Sequence, residues 1–267
     1  MFVNGVFEND AVRYSDSVPP SRIMGAEFSN ESGARQRSKQ RIETLFKIKI
    51  CGICSVKDAQ LVGLAGADAV GLNFFARSPR YIDQEMATKL VGALRQGVKR
   101  VGLFVNSSVD EINQIAEALQ LDYVQLHGDE PPELLADLSP RPIIRAFRFG
   151  ENGAAEIAQF LERCAGGRSP DAILVDTLKQ GEYGGTGEVA DWNAVSEARA
   201  VLGEIPLVLA GGLTPFNVAD AIAKVRPDGV DTASGVESRP ANKDPMLLRA
   251  FVNAAKKAFQ QLESEAI

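Results

Sequence analysis

From Phe46 onward, short apolar, β-branched runs alternate with longer stretches whose apolar positions recur three and four apart. The runs predict strands over 47–51, 69–74, 100–105, 123–127, 143–147, 172–176, 207–210 and 229–232. The longer stretches predict helices over 56–65, 84–95, 110–119, 132–138, 154–164, 192–201, 215–224 and 245–262. Ser55, Asp83, Ser108, Asp191 and Thr214 stand just ahead of helices, where a side-chain oxygen can accept from first-turn N–H groups. Most strand runs are continuously apolar rather than alternating, as in a parallel sheet covered on both faces. Eight such units in roughly 220 residues match the usual size of a (β/α)8 TIM barrel, an α/β fold. The competing open, doubly wound sheet would carry Gly-x-Gly-x-x-Gly after its first strand, and this chain does not.

The leading residues break the pattern. Residues 15–41 are rich in Ser, Pro, Arg, Glu and Gly and hold no sustained period. Residues 1–45 therefore read as a disordered N-terminal extension, and 46–267 as the barrel domain. Hydrophobic residues make up 45% and charged residues 24%, enough for a sizeable core. The net charge of −6 disfavours a nucleic-acid partner. No apolar run nears the roughly 18 residues of a membrane span, so no membrane partner is expected. Three cysteines (Cys51, Cys54 and Cys164) without a basic leader point to a reducing compartment, the cytoplasm.

A barrel of this kind does its chemistry at the C-terminal ends of its strands. There the sequence delivers Cys51 from the first strand, Arg77-Ser78-Pro79-Arg80 after the second, and Gln125-Leu126-His127-Gly128 from the fourth. The sixth strand ends in Asp176, the seventh runs into Gly211-Gly212, and the eighth into Ser234-Gly235. A thiol and a carboxyl on one rim make a candidate base and acid. Two glycine-containing loops after the last strands suit a phosphate, because glycine lets backbone N–H groups approach closely.

The order of motifs is specific. Lys49-Ile50-Cys51-Gly52, Gly66-Ala67-Asp68, Ser78-Pro79-Arg80-Tyr81 and Gln125-Leu126-His127-Gly128 precede Val175-Asp176-Thr177. Gly184-Gly185-Thr186-Gly187, Ala210-Gly211-Gly212-Leu213, Ser234-Gly235-Val236-Glu237 and Lys243-Asp244 follow. From about residue 47 to the end, the chain closely resembles the phosphoribosylanthranilate isomerases, barrels of the ribulose-phosphate-binding type. The resemblance implies an Amadori rearrangement of N-(5-phosphoribosyl)anthranilate to 1-(2-carboxyphenylamino)-1-deoxyribulose 5-phosphate, a step of tryptophan biosynthesis, with no cofactor and no metal. It also implies Asp176 as general acid and Cys51 as general base. Arg80 is then the partner of the anthranilate carboxylate, Gln125 and His127 line the pocket, and Gly211, Gly212, Ser234 and Gly235 seat the phosphate. Monomers and homodimers are both expected.

Cys54 departs from the family's usual threonine. A Cys51-x-x-Cys54 pair could be redox-active, whereas a zinc site would want two more ligands at suitable spacing. Cys54 is read as the threonine substitute, with reversible oxidation to Cys51 as a hypothesis. Residues 184–187 suggest a lid, Trp192 core packing, and Asp68 a structural role. The alternative reading is a catalytically silent phosphate-binding barrel with a regulatory role.

Overall fold

The structure, a computed structural model, describes residues 45–177 and 192–265. Residues 1–44 of the expected extension, the Asp191 cap and the 184–187 loop lie outside the described residues. Among those described, eight strands close into a barrel in chain order, each hydrogen-bonded to the next in parallel and β1 to β8. They are β1 Ile48–Cys51, β2 Ala69–Asn73, β3 Lys99–Phe104 and β4 Tyr123–Leu126, then β5 Ile143–Arg148, β6 Ala172–Asp176, β7 Leu207–Ala210 and β8 Gly229–Thr232. Around them run α1 Val56–Ala65, α2 Gln84–Ala93, α3 Val109–Ala118, α4 Gly153–Arg163, α5 Trp192–Leu202, α6 Val218–Val225 and α7 Pro245–Glu265.

The buried strand runs resolve into two apolar layers. One face packs Ala69, Val101, Ile144, Ala146, Ala172, Leu174, Val208 and Ala210 inside the barrel. The other packs Ile48, Ile50, Val70, Leu72, Ile173 and Val175 against the helices. Small inner residues allow the cylinder to close as a filled core rather than a pore. Phe46 meets Tyr123 edge to face at 5.8 Å among the inner residues, near the N-terminal ends of the strands.

The expected caps hold at three helices. Ser55, Asp83 and Ser108 accept from the N–H groups of Asp58, Met86 and Glu111. Two expectations are corrected. The segment after β4 is a short 3-10 helix over Pro132–Ala136, with Pro131 as its N-cap and no side-chain cap. The helix after β7 begins at Val218, not 215; Thr214 and Asn217 instead build a turn in which Asn217 Oδ1 accepts from Thr214 N at 2.7 Å.

A repeated device fixes the strand starts. Asp68, Asp122, Asp171 and Asp228 each accept from the backbone N–H of the preceding strand's entry: Ile48 (2.9 Å), Arg100 (2.8 Å), Ile143 (2.9 Å) and Leu207 (2.8 Å). Asp68 also takes Lys47 N at 3.2 Å, which gives it the structural role expected of it. Asp68→Ala is expected to cost about 1–3 kcal/mol of stability by leaving these donors unmet; chemical denaturation measures it, with activity per folded molecule preserved.

Candidate active site

Cys51 ends β1, and Lys49 lies two residues earlier on the same face of that strand. Gly71 stands opposite Cys51 in register on β2. A Cβ there would lie 2.6 Å from the sulfur, so only glycine leaves the thiol its room. Lys49 is fully buried, and its Nζ lies 2.7 Å from Asp231 Oδ2 on β8, its partner in register. The other Asp231 oxygen has no hydrogen-bond partner among the described residues. Burial pushes the Cys51 thiol up, and the Lys49 and Lys243 ammonium groups pull against that rise. Burial alone would lower Lys49, but the Asp231 carboxylate and Cys51 outweigh it and hold it above its ordinary value.

Across the barrel, Asp176 ends β6 with its side chain 26% exposed, less enclosed than a fully buried acid. Its Oδ2 lies 3.6 Å from His127 Nε2. Gln125 Nε2 lies 3.0 Å from His127 Nδ1. With the amide placed as donor, Nδ1 is the acceptor and the ring proton sits on Nε2, facing Asp176. A cavity of about 380 Å³ runs from His127 and the segment after β4 to Arg145 and Phe147 of β5 and Phe160 of α4. Neither Cys51 nor Asp176 lines it, and Arg145 within it already serves Glu130 at 3.3 Å.

Arg80 lies against Gly52, the residue after Cys51; a Cβ on Gly52 would collide with the arginine stem. Its guanidinium is not free, as a lone carboxylate binder would be. Nε and Nη2 donate to the two oxygens of Glu237 at 2.8 and 2.7 Å. Glu237 Oε1 also accepts from Lys243 Nζ at 2.8 Å. A small hairpin of β9 Glu237–Arg239 and β10 Asn242–Lys243 sets these two residues opposite one another.

The loops after β7 and β8 pack together. Gly211 and Gly212 turn the chain at φ 90° and 64°, values that glycine adopts without strain. Thr232 Oγ1 donates to Leu213 O at 2.7 Å, and a Cβ on Gly235 would fall on that same carbonyl. Ser234 opens a 3-10 turn over Ser234–Val236. The nine residues singled out from the sequence thus fall into three groups on one rim: Cys51 with Arg80, Gln125 and His127 with Asp176, and the four loop residues.

Residues 48–254 match the family model described as N-(5'phosphoribosyl)anthranilate (PRA) isomerase. The chain belongs to this family. The N-(5'-phosphoribosyl)anthranilate isomerase of Rubrobacter xylanophilus is 44% identical over 213 residues, covering 79% of this chain and 98% of the relative. The crystal structure of the Thermotoga maritima phosphoribosyl anthranilate isomerase superposes with a TM-score of 0.71 at 39% identity, covering 80% of this chain and all of that one. A phosphoribosyl anthranilate isomerase crystallised with reduced 1-(o-carboxyphenylamino)-1-deoxyribulose 5-phosphate superposes at 0.67 with 37% identity, over 80% of this chain.

Within this isomerase scaffold, sequence reasoning missed Lys49, Asp231, Glu237 and Lys243 as members of the site. Lys49 and Asp231 carried a signal, since each is a lone charge in an apolar strand. Cys54 gains no support as a redox partner. Its Sγ lies 3.5 Å from both Gly52 O and Arg80 O, and burial pushes its thiol up to about 11, so thiolate is scarce at neutral pH. Cys54→Thr is expected to keep activity within about twofold, and mild oxidant should inactivate both proteins equally slowly, since slow exchange follows from scarce thiolate. Parallel oxidant titrations check this.

Proposed function

We infer that the chain is an aldose–ketose isomerase acting on N-(5-phosphoribosyl)anthranilate in tryptophan biosynthesis. A single arrangement carries the mechanistic reading: the thiol of β1 and the carboxyl of β6 stand at the same rim of a family barrel. Asp176 gives its proton to the furanose ring oxygen, the bond from that oxygen to C1 breaks, and a protonated Schiff base forms. Cys51 removes the proton at C2, and the electron pair of that bond neutralises the iminium to give an enolamine. In ketonisation C1 gains a proton and the C2 hydroxyl gives one up to leave the carbonyl, and these two transfers restore the Cys51 thiolate and the Asp176 acid. Electron flow stays within the substrate, so the chain's own acid and base suffice.

His127 Nε2 stands 3.6 Å from Asp176 and Gln125 stands 3.0 Å from His127, so both line the pocket beside the acid. The paired loops at Gly211, Gly212, Ser234 and Gly235 seat the phosphate, and Arg80 meets the carboxylate. The catalytic unit is the barrel from residue 46 to 267, preceded by the extension of 1–45. It takes a small molecule as partner, as monomer or homodimer, in the cytoplasm; among the described residues no helix is long and apolar enough to cross a membrane. Freshly generated substrate labelled with 13C at ribose C2 tests the reaction. The label is expected to move from the carbinol to the ketone range of the NMR spectrum. Release of free anthranilate without a ketone signal would sink the reading.

A further inference from the structure

Arg80 is held before any substrate arrives. Its Nε–Nη2 edge is closed by Glu237, whose side chain is only 3% exposed. Nη1 has no acceptor among the described residues, and the arginine side chain keeps 21% of its surface open. A guanidinium gripped by one edge cannot spin or swing, and its second edge, Nη1 with Nη2, is matched to another planar carboxylate. Glu237 is held in turn. Oε1 is shared between Arg80 Nε and the wholly buried Lys243, whose Nζ also donates to Ala233 O at 2.9 Å. Burial alone would raise the Glu237 carboxyl, yet Arg80 and Lys243 hold it below the usual carboxylate range. The hairpin of β9 and β10 serves this contact, since Lys243 is the register partner of Glu237.

We propose that Glu237 and Lys243 are positioning residues that clamp one edge of Arg80 and aim the other at the ortho carboxylate of the substrate, making the enzyme selective for carboxylated aryl amines. The inference rests on the substrate class given above. It fits the local geometry, because the Arg80 stem lies on Gly52, beside the thiol that works at C2. The aryl carboxylate lies only a few bonds from that carbon.

The test compares two substrates, N-(5-phosphoribosyl)anthranilate and the carboxylate-free N-(5-phosphoribosyl)aniline. The variants are Glu237→Gln and the double variant Glu237→Gln/Lys243→Met. An amide cannot accept from Nε, Nη2 and Nζ together, so the clamp opens. The double variant removes both buried charges, so that neither is stranded if the single variant fails to fold. For the anthranilate substrate KM is expected to rise about tenfold or more while kcat changes far less, the mark of lost uniform binding. The ratio of kcat/KM for the two substrates should fall by about tenfold in both variants. Equal losses on both substrates, or an unchanged ratio, would overturn the inference and leave Glu237 a structural residue. A wild-type enzyme that turns over neither substrate would overturn the reading beneath it, and the inference with it.

Discussion

Cys51→Ala and Asp176→Asn are each expected to lower kcat by about two decades or more, the size of a lost acid or base in proton transfer. The two variants should fail for different reasons. Alanine leaves nothing at the end of β1 to take the C2 proton, while asparagine keeps the shape of Asp176 and loses the proton it must give. Steady-state rates on fresh substrate measure both, with circular dichroism establishing that the proteins are folded. A pH signature accompanies the base. Burial pushes the free Cys51 thiol up, so its labelling by iodoacetamide in the free enzyme should still be rising with pH above neutrality as thiolate forms. In the complex the protonated Schiff base adds a positive charge beside the sulfur and draws its affinity for protons down.

Lys49→Met is expected to destabilise the fold by about 3–5 kcal/mol, because it strands the Asp231 carboxylate in the closed barrel. For a domain of this size the midpoint of thermal unfolding should drop by roughly 10 °C. Lys49→Met/Asp231→Leu should recover most of that loss, since no charge is then left without its partner. The folded-state affinity of Lys49 for its proton is raised. Its contribution is thus complete below its unfolded value of about 10.4 and disappears only as the pH climbs through the higher folded value. Stability at neutral pH should not depend on its titration. The double variant also reports on catalysis. Without the ammonium below it, the Cys51 thiol should titrate at higher pH, read as the pH dependence of iodoacetamide labelling at that residue. Thermal melts and peptide mapping check the two halves of this expectation.

Much of this arrangement was legible in the chain itself. Short, β-branched apolar runs such as Ile173-Leu174-Val175 read as strands covered on both sides, and eight of them in chain order leave a barrel as the economical closure. Position followed from fold, because strand ends fix which side chains meet at the rim; Cys51, Gln125 and Asp176 were found this way. What escaped notice depends on contacts between residues far apart in the chain. Lys49 was read as part of a motif, yet it shares the face of Cys51 and meets Asp231, 182 positions later. Glu237 and Lys243 fall in loop sequence, and only the hairpin reveals that they form a pair. Arg80 was read from the motif as the partner of a carboxylate, and its grip by Glu237 adds an edge constraint that spacing cannot convey. The segment after β4 closes as a five-residue 3-10 helix, a distinction that its apolar residues do not carry.

The most direct test is the turnover of freshly generated N-(5-phosphoribosyl)anthranilate by the reduced, full-length, chelator-treated protein. Saturable conversion to the ketose, falling by about two decades in Cys51→Ala and in Asp176→Asn, is the expected result. A folded, reduced protein that binds phosphate yet leaves the substrate unchanged would contradict the account and leave a silent phosphate-binding barrel in its place.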